Sequence, residues 1–158
     1  MRITTLLLLF IASPAFALDA TCEIYLNAAE KSAGQTTRHS ITEPGDGSSL
    51  EMVSVNGQHF ARVDGKWSKF PGAGIGPGER SMLAAIRSGH YPISGCRNLG
   101  SERFEGVATT VIAYTLKLPG QPAEETRAYI GSDGLVYGQV SGKTRVKHRY
   151  SGVQAPPL

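Results

Sequence analysis

At 158 residues, 41% of them hydrophobic, the chain has the size of one domain built around one core. Its 16 Lys and Arg stand against 13 Asp and Glu, a balance that excludes a nucleic-acid partner held by bulk charge. No stretch approaches the ~20 apolar residues needed to cross a bilayer, so no membrane span is expected.

Met1–Ala17 carries one cation, Arg2, then an apolar run from Ile3 to Ala12, then Ala15-Phe16-Ala17. A small-x-small triplet after a short apolar run is the pattern of a signal peptidase site. The prediction is a cleaved secretory signal over 1–17 and a single soluble domain over 18–158, periplasmic or secreted. Without Arg2 the balance is 15 basic against 13 acidic residues, a net of +2. In an exported chain the two cysteines, Cys22 and Cys96, are expected to form a disulfide. Two alternatives stay open. Cys22 is a candidate for lipidation, although Asp19-Ala20-Thr21 is not the apolar-small-small run that suits one. Zinc is the other, with only two cysteines and no paired spacing.

Asp19 caps a predicted helix over Cys22–Lys31, with Glu23 in its first turn, Lys31 in its last and Gly34 as its stop. Cys22, Tyr25, Leu26 and Ala29 recur at helical spacing and give one apolar stripe, most simply docked on a sheet. Thr36–Glu43 reads as a strand, and Pro44–Ser49 as a loop by composition. Three strands follow, Leu50–Val55, Gln58–Val63 and Lys66–Phe70, joined by Asn56-Gly57 and Asp64-Gly65. Both dipeptides favour tight hairpins, because primed turns need positive φ. Counting outwards puts Val53, Phe60 and Trp67 on one face beside a Glu51–Arg62 pair. Leu50, Met52, Ala61, Val63 and Phe70 fall on the other. A sheet with one wet side alternates more cleanly, so either both sides are covered or one lines a hollow.

Pro71–Gly78 is rich in glycine but lacks both nucleotide signatures. Pro77 stands five residues after Gly72, no Lys follows Gly78, and the dinucleotide fingerprint is absent. It reads as a linker or hinge, and no cofactor is predicted. Glu79–Ser88 is a short helix with Met82, Leu83 and Ile86 on its apolar edge, ended by Gly89. Residues 97–104 are polar and read as loop.

Four strands follow, Val107–Leu118, Glu125–Ile130, Leu135–Ser141 and Thr144–Tyr150, the first ended by Pro119-Gly120-Gln121-Pro122. Tight turns at Asp133-Gly134 and Gly142-Lys143 set Tyr137 opposite His148 and Ile130, and Gln139 opposite Val146 and Ala128. The other face gathers Arg127, Arg145, Lys147 and Arg149 with Val136 and Val140. That basic face is either solvated or meets an anionic surface.

The residues show no catalytic signature. No serine sits in a Gly-x-Ser-x-Gly elbow. His39, His59, His90 and His148 are scattered, without the i, i+4 pair of a metalloprotease. Asp64 and Asp133 are taken by turns. No catalytic residue and no metal ligand is assigned, and His148 reads as a hydrogen-bonded core residue near Tyr137 and Tyr150.

Several pieces resemble a group of small proteins exported by Gram-negative bacteria. They are Asp64-Gly65-Lys66-Trp67, Cys96, Glu105-Gly106-Val107-Ala108, Tyr114, Tyr129-Ile130-Gly131, Asp133-Gly134-Leu135 and the tail Tyr150–Pro156. The order of helix, strands, helix and strand meander is similar to the LolA-like lipoprotein-carrier fold. That resemblance implies an incomplete β-barrel whose apolar hollow, closed by helices, takes acyl chains. It puts Val53, Phe60, Trp67 and Met82 near the hollow; without it, the same cluster reads as plain core. The expected fold class is α+β, a curved antiparallel sheet of about seven strands with two helices on one side. The expected function is a periplasmic, non-catalytic binding or carrier module for an apolar or lipid-like ligand. The alternatives are an envelope interaction or inhibitor protein acting through a sheet edge or the basic face, and a weak hydrolase.

Overall fold

The computed structural model describes residues 18–158, so the predicted export signal lies outside the described residues. Helix α1 spans Ala20–Ala33. The Asp19 carboxylate accepts from the Thr21 N–H at 2.7 Å, and Glu23 and Lys31 sit at the ends that suit their charges. Strands β1 (Arg38–Glu43), β2 (Leu50–Val55), β3 (Gln58–Val63) and β4 (Lys66–Phe70) follow. Helix α2 is Gly76–Arg87, and β5 (Ile93–Phe104), β6 (Val107–Leu116), β7 (Glu124–Gly131), β8 (Val136–Ser141) and β9 (Thr144–Arg149) complete the order.

All nine strands form one antiparallel sheet in the order β4-β3-β2-β1-β9-β8-β7-β6-β5. Two meanders are joined where the first strand meets the last. The outer strands β4 and β5 do not pair, so the sheet is not closed into a barrel. Asn56-Gly57 and Asp64-Gly65 hold positive φ at both positions, the hairpin geometry that matches strand twist. The pairings Glu51 with Arg62 and Val53 with Phe60 are those expected.

Two expectations are corrected. Residues 97–104 are not loop: they belong to the 12-residue edge strand β5. Glu105 and Gly106 form a third positive-φ turn, and two register shifts break the alternation that would have marked the strand. Nine strands therefore stand where about seven were expected. The Asp133-Gly134 loop is also longer than two residues: the Gly131 N–H donates to the Leu135 carbonyl at 2.9 Å. A bulge beside Ile130 sets it opposite Val136 in place of Tyr137, and Tyr137 packs against Phe104, Val111 and Tyr129. Gln139 keeps both expected neighbours, Ala128 and Val146.

Period-2 alternation and these registers define two faces. On the helix side, Ile112, Tyr114, Ala128, Ile130 and Val136 pack with Tyr25, Leu26 and Ala28 of α1 and with Leu83 and Ile86 of α2. The disulfide Cys22–Cys96 ties α1 to β5, with Cα atoms 5.2 Å apart and a separation of 74 in sequence. On the outer side, Phe104 stacks on Tyr129 with ring centroids 4.2 Å apart, and the Arg145 guanidinium lies 4.4 Å over the Phe104 ring. This stack needs the bare backbone of Gly138, where a Cβ would stand 2.1 Å from the Phe104 ring. Gly138→Ala should therefore force the ring aside and lower the urea midpoint, by about 1–3 kcal/mol in unfolding free energy. An unchanged midpoint would show that the ring moves freely.

Candidate ligand-binding site

Helix α2 leans on α1 and is fastened by arginines. Arg87 donates from Nη1 to Glu23 at 2.8 Å and from Nη2 to Asn27 at 2.8 Å, and its Nε bonds Glu30. Arg38 of β1 donates from Nη2 to Glu79 of α2 at 2.8 Å. Arg80 donates from Nη1 to the Ala33 carbonyl at 3.0 Å. Leu83 and Ile86 turn inward and are buried.

Between α1, α2 and the sheet lies a cavity of about 140 Å³ whose lining mixes apolar and polar side chains from all three. Ala29, Met82, Leu83, Ile86, Leu116 and Val136 make the apolar part. Tyr25, Ser32, Arg38, Glu79, Gln139 and His148 make the polar part. The polar groups are mutually satisfied. Tyr25 stacks on Tyr114 at 4.1 Å, and Gln139 Nε2 donates to the Tyr25 and Tyr114 hydroxyls at 3.0 and 3.2 Å. Burial raises the pKa of both tyrosines. Ser32 donates to the Ala28 carbonyl and accepts from the Val136 N–H, each at 2.8 Å. A second cavity, of about 220 Å³, opens beside the start of α2 and is lined by Arg38, Ser54, His59, Gly76 and Arg80 among others. Arg38 belongs to the walls of both.

The structure separates the residues that the sequence grouped. Met82 lines the first cavity and is 43% exposed. Val53, Phe60 and Trp67 share a face as expected, but it is the outer one: Val53 pairs with His39, which pairs with Arg149, in the row opposite to His148. There Val53 and Phe60 are buried with Val55, and Trp67 and Val153 pack against them. The helix-side surface of β2 and β3 carries the remaining apolar set. Leu50 and Val63 stay 46% and 56% exposed there, while Met52 and Ala61 are half-buried.

Arg127, Arg145, Lys147 and Arg149 also share the outer face, but most are answered. Arg145 donates to Glu105 at 2.7 Å, Lys147 to Glu43 at 3.0 Å, and Arg149 lies 3.5 Å from His39. Val136, grouped with them by sequence, is on the helix side because of the bulge. Sequence reasoning missed Arg38, Glu79, Gln139 and Tyr25 as site residues. The parity of β1, which puts Arg38 and Ser40 on one side, was the available signal. Among the described residues no group of three or more His, Cys, Asp or Glu gathers as for a metal ion, and no helix is long and apolar enough to cross a membrane.

His148 sits beside Tyr150, with ring centroids 6.2 Å apart, and its Nδ1 bonds the Ser40 hydroxyl at 2.9 Å. Burial first, and then the charge of Arg38, pushes its imidazole down to about 3 from an ordinary 6.5. The unfolded chain thus binds this proton below about pH 6.5, and the folded chain only near pH 3. The stabilisation from a neutral His148 is complete above the unfolded value and is lost as pH falls, by up to about 1.4 kcal/mol per pH unit. His148→Gln should flatten the fall in stability between about pH 6 and pH 4 relative to wild type, as read by urea unfolding at each pH. Equal slopes would place the proton elsewhere.

No family model and no curated protein sequence matches the chain. Solved structures do. LprF from Mycobacterium bovis superposes with a TM-score of 0.52 at 11% identity, over 87% of this chain and 94% of that one. The Mycobacterium tuberculosis lipoprotein LppX gives a TM-score of 0.49 at 15% identity, over 87% and 96%. MucB, in the Pseudomonas aeruginosa MucA/MucB complex, gives 0.47 at 15% identity, over 87% of this chain and 59% of that one. The likeness to LprF, at low identity, concerns the fold alone: an open antiparallel sheet with two helices on one side, the LolA-like lipoprotein-carrier fold.

Proposed function

We propose that the chain is an exported, non-catalytic carrier that holds a lipid-like ligand between its helices and its sheet. The observation that carries this reading is the cavity beneath α2, lined by both apolar and polar side chains. Such a lining suits a molecule with a hydrocarbon end and a polar end. At about 140 Å³ it resembles the ~150 Å³ apolar void that admits one benzene, so it takes a short length of chain. The open strip of Leu50, Met52, Ala61 and Val63 lies on the same face. Met52 stands two strands from His148, through Ser40, or about 10 Å. It offers the rest of a longer tail a surface to follow. We assign Val53, Phe60 and Trp67 to closing the outer face with Val153, and Met82 to the ligand. The cleaved signal over 1–17 belongs to the same reading, and the disulfide suits an oxidising compartment such as the periplasm. The basic face gives the interaction-protein alternative little support, since acidic partners already meet Arg145 and Lys147.

Native mass spectrometry of protein purified from the cell envelope tests this. A co-purified amphiphile, released on denaturation, is expected. Ala29→Phe fills the apolar wall. If it excludes about four methylenes it should weaken uptake of a fluorescent fatty acid by about 3 kcal/mol, roughly 100-fold. A clean apo mass together with unaltered uptake by Ala29→Phe would overturn the reading.

A further inference from the structure

We propose that the polar end of the ligand is an anion, a carboxylate or phosphate, received by Arg38, which lines both cavities, with Arg80 in the wall of the second. This rests on the carrier reading above and adds the class of head group.

Arg38 is 5% exposed, and a buried guanidinium is costly unless its donors and its charge are answered. Glu79 meets it through Nη2 and is the one acidic side chain paired with it among the described residues. Arg80 bonds only a carbonyl, that of Ala33, so its charge meets no acid among the described residues. Glu79 is the one acidic side chain in the walls of the two cavities. The two histidines there, His148 and His59, are hydrogen-bonded to Ser40 and Ser54. Burial and Arg38 hold His148 neutral. Two guanidinium groups thus stand against one carboxylate, and the excess is positive.

Each class of head group fares differently against this wall. An ammonium head would meet like charge at Arg38 and Arg80. A hydroxyl head would engage one or two donors and leave the excess charge unanswered. A carboxylate or phosphate accepts paired bonds from a guanidinium fork, the strongest class of such bonds. Ile86 and Leu83 line the same cavity as Arg38, so head and tail are served by one lining. The short apolar space then favours ligands whose recognition is carried by the head.

The test is a competition series at pH 7.5, below micelle formation, using dodecanoate, dodecyl phosphate, dodecanol and dodecylammonium to displace one neutral fluorescent probe. Acetate and inorganic phosphate are run alone as tail-free arms. Dodecanoate and dodecyl phosphate should bind at least tenfold more tightly than dodecanol, with dodecylammonium weakest and the tail-free anions far weaker than either. Arg38→Gln should erase the preference. Because that variant alters a buried group and can fail to fold, Arg80→Gln, at an exposed residue, is the second arm and should reduce the preference severalfold while the chain stays folded, losing one bond to the Ala33 carbonyl. Equal binding of dodecanoate and dodecanol, or tightest binding of the ammonium, would overturn the anionic head and leave the carrier standing. Tight binding of inorganic phosphate alone would also overturn it, as a site for free anions. No displacement by any of the four would overturn the carrier reading itself.

Discussion

The pairing of β1 with β9 is the contact on which the rest depends. Each meander is built from local hairpins, and neither has a covering element of its own along its whole width. Only the register of Ser40 with His148 and His39 with Arg149 makes them one sheet. A slip of one residue would exchange the faces of β1 to β4 as a block. It would send Arg38 outward to the cations of β9 and bring Val53 and Phe60 under the helices. The register is guarded on both sides. Ser40 bonds His148 on the helix side, and Glu43 bonds Lys147 on the outer side. Two specific polar bonds on opposite faces discriminate against a slip more sharply than apolar packing, which tolerates exchange among similar side chains.

The two faces then use their apolar groups differently. Outside, aromatic stacking over a bare glycine and the return of Val153 close the surface without a helix. Inside, α1 covers β5 to β8 and carries the disulfide. Helix α2 covers less, reaching the core through Leu83 and Ile86. Burying those two side chains is worth about 1.5–3 kcal/mol each. The ion pairs of Arg87, about a third exposed, each contribute ~1 kcal/mol or less. The seat of α2 is thus mainly apolar, and the same two side chains border the cavity. Hydrocarbon in that space touches the groups that hold the helix down.

Much of this was legible in the chain. Asn56-Gly57 and Asp64-Gly65 fix β2, β3 and β4 to the residue, because positive φ at two successive positions leaves few alternatives. Met82 was found as part of an apolar helix edge. Strand β5 escaped notice because an edge strand faces water on both sides for most of its length, so burial imposes no alternation there, and its bulges break what remains. The Asp133-Gly134 turn misled for a local reason. The Asp133 carboxylate accepts the Leu135 N–H and supports a wider loop, which carried Val136 to the other face. Val53, Phe60 and Trp67 share a face as the hairpins predict, and that face is the one turned from the helices. Hairpins fix which residues share a face but are silent on which face the helices choose. That choice is made by the β1–β9 register, a contact between residues more than a hundred positions apart.

Arg38 was illegible for a deeper reason. Only the parity it shares with Ser40 marks it, and a strand that opens with arginine usually starts at the surface. Its burial follows from three distant decisions: the β1–β9 register, the lie of α1 and the placement of Glu79 at the first turn of α2. A fold that needed only a core would meet that position with an aliphatic side chain, because replacing a buried ion pair by well-packed apolar groups is often neutral or stabilising. Here the guanidinium stands between two cavities with Glu79 holding a single point of it. Around it the tyrosine pair and the glutamine satisfy one another, and Ser40 satisfies the neutral histidine. The neutral members close on their own partners, so what sets this interior apart is the charge it keeps at Arg38, met by one carboxylate.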